Sequence, residues 1–196
     1  MPVDDYFQHR APAYITASEN WPWSSLRAVE SEAFFSLVGI IDGLDVLELG
    51  CGAGFYTSKL VKFGARRIWA VDRSDAMLAQ LPEGPIESIL ADATNLQINR
   101  RFPLILSAGL LEFLPSPDMI FKIAAAHSES DGRFVVLVPG ACTTGRVYAW
   151  FHRRHELNIQ LFELADLKKM ASAAGWEFDS FIRCGLFSIV ASFKKT

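Results

Sequence analysis

Cysteine is scarce in this chain: among 196 residues only Cys51, Cys142 and Cys184 carry a thiol. An odd number without C-x-x-C spacing argues against both a disulfide framework and a zinc knuckle, and leaves reduced, mostly buried thiols. Long hydrophobic runs are missing too, since no stretch approaches the roughly 18 apolar residues of a membrane span. The opening Met1-Pro2-Val3-Asp4-Asp5 lacks a basic region followed by an apolar stretch, so the expectation is a cytoplasmic protein without a membrane span. Positive charge is not in excess either. A net charge of −3 and a pI near 5.8 give no global electrostatic reason to bind nucleic acid or an anionic membrane, which makes a small molecule the expected partner. Neither an internal repeat nor a low-complexity linker interrupts the chain, so residues 1–196 are expected to form a single domain.

What the chain does have is apolar material, 51% of its residues, enough for a sizeable core. Short apolar runs alternate with amphipathic segments, the pattern of βαβ units and a parallel sheet. Strands are predicted at Asp45–Leu49, Arg67–Val71, Ser88–Ala91, Leu104–Ser107, Arg133–Val138, Glu177–Arg183 and Phe187–Phe193. Helices are predicted near Ser25–Val38, at Tyr56–Phe63 before Gly64, at Asp75–Gln80 before Pro82, at Asp118–Ser128 ahead of Gly132, and at Glu163–Ala174. The short connection at Gly185 forces the last two strands into a hairpin, because a parallel crossover needs a dozen or so residues.

The densest signal is Glu48-Leu49-Gly50-Cys51-Gly52-Ala53-Gly54, directly after the apolar run Leu44-Asp45-Val46-Leu47. A buried strand ending in a glycine-rich turn before a helix lets a cofactor approach bare backbone at the carboxyl edge of a parallel sheet. The dinucleotide fingerprint G-x-G-x-x-G would place its third glycine where Phe55 stands, which disfavours a nicotinamide oxidoreductase. Two acids close later strands. Asp72 ends Trp69-Ala70-Val71-Asp72, about 20 residues beyond the loop, where a carboxylate commonly accepts ribose hydroxyls. Its alternative is a cap on the helix beginning near Ser74. Asp92 ends Leu90-Ala91-Asp92-Ala93, with an Asx turn into Thr94-Asn95 as its alternative.

The order of these elements, E-x-G-x-G-x-G, strand-end acid, L-A-D-A, then Leu110-Leu111-Glu112-Phe113-Leu114-Pro115, resembles the class I S-adenosylmethionine (SAM)-dependent methyltransferases, and within them the small-molecule enzymes, from about Leu44 to the C-terminus. The resemblance implies a Rossmann-like α/β fold: a seven-stranded, mostly parallel sheet with an antiparallel last strand and helices on both faces. It implies SAM as cofactor and S-adenosylhomocysteine (SAH) as product. The backbone of Gly50, Cys51 and Gly52 would then lie against the amino-acid part of the ligand with Glu48 acting through polar or water contacts and Gly54 also in the cofactor site, Asp72 at the ribose, Arg73 and Met77 along the adenosine, Asp92 and Ala93 at the adenine, and Ser107 and Gly109 at the methionine end. Glu112 would orient the loop or face the substrate. Two departures stand out: Pro103 replaces the usual Asp of the fourth motif, and Phe113 replaces a usual His. They leave open a protein that binds SAM without catalysing transfer.

Segments outside the cofactor core carry the acceptor expectations. Residues 1–40 contain an aromatic arm with Tyr6, Arg10 and Tyr14, then Trp21 and Trp23, ahead of a helix; the arm either closes over the site or staples that helix to the sheet. Gly140–Leu161 is longer than an ordinary loop and is predicted to form a lid carrying Arg146, Tyr148, His152 and His155. His152 and His155 are candidate bases, Arg146 a grip for an acid group, and no metal is expected, because the H-x-x-H pair lacks a third ligand. The aromatic content of both segments points to a hydrophobic or aromatic acceptor.

Overall fold

The computed structural model describes residues 23–154 and 158–195. Tyr6, Arg10, Tyr14, Trp21 and His155, and the side chain of Trp23, lie outside the described residues.

Strand β1, Asp45–Leu49, is buried along its whole length. It is flanked by β2, Arg67–Asp72, and β4, Phe102–Ala108, both parallel to it. With β3 (Ile86–Leu90), β5 (Ser128–Pro139), β6 (Trp176–Cys184) and β7 (Ser188–Lys195), the sheet has seven strands in the order β3-β2-β1-β4-β5-β7-β6. Five neighbouring strands pair in parallel; β7 runs antiparallel to both β5 and β6. The hairpin expected around Gly185 joins the last two strands, with Gly185 at φ +58°.

Alternation along the strands feeds two cores. Leu47 and Leu49 of β1 enter one with Phe134, Val136 and Phe193, while Val46 enters the other with Ile68, Ala70 and Val135. Helices α4 (Asp118–Ala126) and α6 (Leu164–Ala173) cover the first face through Ile120, Phe121, Leu167 and Ala171. Helices α1 (Trp23–Val38) and α2 (Phe55–Lys62) cover the other through Phe34, Val38 and Leu60. The short α3 (Asp75–Leu78) follows β2, and α5 (Thr143–Arg153) lies within the segment predicted as a lid.

β5 differs most from the sequence expectation. It starts at Ser128 rather than Arg133, and its partner register against β4 jumps from Phe102↔Ser128 to Leu104↔Arg133. The intervening Glu129, Ser130 and Asp131 are exposed and bulge from the ladder, so no apolar alternation marks them as strand. The predicted end of α4 at Ser128 is accordingly too late.

At the foot of the sheet Asp45 is buried but satisfied: Arg66 Nε donates to Oδ1 over 2.7 Å, and Arg100 reaches Oδ2. The Arg66 bond, outweighing burial and aided by Arg100, holds this carboxyl below its usual range.

Candidate active site

The chain turns from β1 to β2 on one side and to β4 on the other, so β1 and β4 border the point where strand order reverses. A crevice opens there at the carboxyl ends of the strands. Gly50 leaves β1 with its N–H, and that of Cys51, bonded to Val71 O over 2.9 and 3.0 Å. Gly50 must be glycine for two reasons: its φ is +76°, and a Cβ there would lie 2.9 Å from Leu110 Cβ. At Gly52, φ +52°, a Cβ would meet no atom within 4 Å and would project into open space beside the loop.

Asp72 is tied to that loop. Its Oδ2 accepts from Gly52 N over 2.9 Å and its Oδ1 from Ser74 N over 3.0 Å. Each oxygen keeps a second lone pair for a ligand hydroxyl. The cap of α3 falls instead to Ser74, whose Oγ accepts from Met77 N over 3.2 Å, so the alternative role of Asp72 as helix cap is not what is found. Asp92, exposed at the end of β3, does make the Asx turn: Oδ1 accepts from Thr94 N at 2.8 Å and Thr94 Oγ1 at 2.7 Å. Burial works to raise its pKa, but these bonds and Arg73 lower it further. Both acids line the crevice.

The crevice has a volume of about 550 Å³, within the range of small-molecule sites. Among the residues expected at a site, Gly50, Cys51, Gly52, Gly54, Asp72, Arg73, Met77, Asp92, Ala93, Gly109, Glu112 and Tyr148 line it. Glu48 does not: it lies beneath the loop, buried, and accepts from Thr57 Oγ1 of α2 over 2.7 Å. Burial pushes its pKa up to about 8, with Thr57 opposing and Asp72 adding to the rise. Ser107 is buried in β4 behind Ala108, outside the lining. Arg146 is exposed on α5 away from the crevice, and His152 packs its ring 4.4 Å from that of Tyr148, one layer back. Helix α5 therefore presents Tyr148, rather than a histidine, to the cavity. No group of three or more His, Cys, Asp or Glu side chains able to hold a metal occurs among the described residues.

The sequence reading missed the opposite wall. Arg27 and Glu30 come from α1, Leu137 and Pro139 from the end of β5, Phe187 from the turn before β7 and Ser188 from its first residue. Glu30 is buried and accepts from Ser188 Oγ; burial raises its pKa against the effects of Ser188 and Arg27. Tyr148 and Phe187 stack at 4.4 Å and 25°. Glu112 is also buried, and burial pushes it up to about 8, with Glu30 contributing. Gln160 N donates to Glu112 O over 3.0 Å, which pins the exit of the 140–161 segment to the Glu112 turn. Only Glu30, a buried acid on α1, could have signalled this wall, and the neighbouring Arg27, Ser31 and Glu32 make it look like one polar residue among several.

The crevice is thus a ligand site of the doubly wound α/β class, with a polar backbone cradle at one end and an apolar, acidic wall at the other. A family model described as a methyltransferase domain matches residues 24–180, and the chain belongs to that family, the SAM-dependent methyltransferases of the class I Rossmann-like fold. No curated protein matches it in sequence. Among solved structures it is similar to magnesium protoporphyrin IX methyltransferase from Synechocystis PCC 6803 with bound SAH, at 15% identity and a TM-score of 0.80 over 99% of this chain and 98% of that one. It is similar also to the DhpI complex with SAH (20% identity, TM-score 0.75, 97% and 94% covered) and to an S-adenosylmethionine-dependent methyltransferase from Mesorhizobium loti (16% identity, TM-score 0.68, 88% and 97% covered). These likenesses establish the shared fold.

Proposed function

We propose that this protein is a SAM-dependent methyltransferase, a single domain that moves the SAM methyl group to a nucleophilic O, N, C or S atom of a small, hydrophobic or aromatic acceptor by in-line displacement. The observation that carries this reading is one continuous crevice in which the glycine loop, locked to Asp72 through Gly52, faces Tyr148, Phe187 and Glu112. The residues fit the cofactor: bare glycine backbone on the cavity side, an Asp72 carboxylate with lone pairs to spare, and Asp92 at the next strand end. Gly50, Cys51 and Gly52 would hold the amino-acid part, Asp72 the ribose hydroxyls, and Asp92 with Ala93 the adenine edge. When bound, SAM supplies a methyl group already activated by its sulfonium.

The work left to the protein is alignment and exclusion of water. Leu137, Pro139, Tyr148 and Phe187 provide an apolar wall that positions the acceptor, and Glu112 and Glu30 are the acids that border its space. His152 acts through Tyr148, which it packs against. No helix among the described residues is long and apolar enough to cross a membrane, and with a net charge of −3 we take the partner to be a small molecule in the cytoplasm.

The test is SAH formation. Incubation with SAM and a panel of aromatic alcohols, amines and thiols should release SAH above the acceptor-free control, and Asp72→Ala should abolish it. Tight SAM binding with no SAH from any acceptor would assign a binding role without transfer.

A further inference from the structure

The acceptor end of the crevice carries an unusual set of groups for an apolar pocket. Glu112 keeps 5% of its surface exposed, yet its Oε2 has no hydrogen-bond partner among the described residues, although it lines the cavity. A second buried acid, Glu30, reaches the same wall from α1 and is close enough to Glu112 to disfavour its charge. A buried acceptor atom left without a donor costs about 1–3 kcal/mol, so such an atom on a side chain that lines a cavity is suited to a donor that arrives with the ligand. Arg27 is the cation that faces Glu30 from the same helix, and Ser188 Oγ donates to it from β7. Burial opposes the charged form of both acids, so a cation arriving beside them favours their ionisation. The remaining neighbours are the Cys184 thiol on β6, which burial and Glu30 push up to about 11, and the aromatic pair Tyr148 and Phe187. Aromatic rings beside a carboxylate are the surroundings in which a desolvated ammonium is held best.

Resting on the methyltransferase reading for the location of the acceptor, we propose that Glu112, backed by Glu30 and flanked by Tyr148 and Phe187, forms a subsite for a protonated amine, so that the acceptor is an aromatic or hydrophobic amine whose ammonium gives one proton to the Glu112 carboxylate before its nitrogen lone pair can take the methyl group. The ammonium supplies the donor that Glu112 Oε2 lacks and the charge against which the acid ionises. Because burial favours the protonated form of both acids in the empty site, arrival of the cation releases protons to solvent.

The experiment is calorimetric titration of the full chain, saturated with SAH, with benzylamine, 2-phenylethylamine and tryptamine, and with their alcohol counterparts benzyl alcohol, 2-phenylethanol and tryptophol. The proposal predicts at least about tenfold preference for an amine over its alcohol, of the size expected for one charge-assisted hydrogen bond. Repeating the titration in buffers of different ionisation enthalpy should reveal proton release. Glu112→Gln should erase the preference while leaving SAH affinity, and so the fold of the site, unchanged; Glu30→Gln should weaken it. Equal binding of amines and alcohols, no binding of either to a protein that binds SAH, or an undiminished amine preference in Glu112→Gln would overturn the subsite and leave the methyltransferase reading intact. A protein that does not bind SAH contradicts that reading instead, and the same amine-to-alcohol comparison on the free protein then decides the subsite separately.

Discussion

Gly52 and Asp72 are joined by a 2.9 Å hydrogen bond from the glycine N–H to Oδ2. The bond couples the loop after β1 to the tip of β2, so the glycine loop and the acid proposed to hold the ribose are set by one contact. Pre-setting both lowers the ordering cost of binding.

Replacing Asp72 with Ala removes this tie and the proposed acceptor for two ligand hydroxyls. With about 1.5–3 kcal/mol for a hydrogen bond to a charged group, SAH affinity should fall by roughly 10–100-fold or more. Calorimetry gives the loss and circular dichroism reports the fold. His152→Ala, which removes a ring outside the cavity, should leave SAH affinity nearly unchanged; an equal loss in both would contradict the separation of cofactor cradle from α5.

Gly50→Ala places a Cβ against Leu110 at a backbone φ of +76°. The strain should cost about 1–3 kcal/mol, seen as a fall in Tm of roughly 2–12 °C for a chain of this size. An unchanged Tm would mean the loop has another conformation available.

Glu48 and Glu112 have folded-state pKa values near 8 against the usual 4.5. The folded protein therefore holds more protons than the unfolded chain between these values, and stability falls as pH rises. Their contribution is complete below about pH 4.5 and is lost as pH passes 8. Glu48→Gln keeps an oxygen for Thr57 but cannot ionise, and should flatten the decline measured by urea unfolding from pH 5.5 to 8.5.

The thiols differ in reactivity. Burial raises Cys51 and Cys184, whereas the Thr144 hydroxyl and the Gly145 N–H lower Cys142, which is only partly buried. Brief treatment with iodoacetamide near neutral pH should label Cys142 first by peptide mapping, and Cys51 only after unfolding. Early labelling of Cys51 would mean that the glycine loop opens.

Much of the cofactor half was legible because it is local. A glycine loop follows a buried strand, and acids close the next two strands, so spacing alone carries Gly50, Gly52, Asp72 and Asp92 to one edge. Glu48 misled for a physical reason: β1 alternates faces, and its acid turns under the loop toward Thr57 rather than toward the cavity. The other wall of the crevice was hidden because Glu30, Glu112 and Ser188 meet only after the sheet brings α1, the turn after β4 and β7 together. The bulged start of β5 was unreadable from Glu129-Ser130-Asp131-Gly132, whose residues show no strand periodicity.

The most direct measurement is parallel calorimetric titration of the purified protein with SAH and NADH. Binding of SAH at about micromolar Kd, with no heat from NADH, is the predicted result. Binding of NADH without SAH would contradict the account at its centre, because the glycine loop, Asp72 and Asp92 would then be serving a pyrophosphate cofactor.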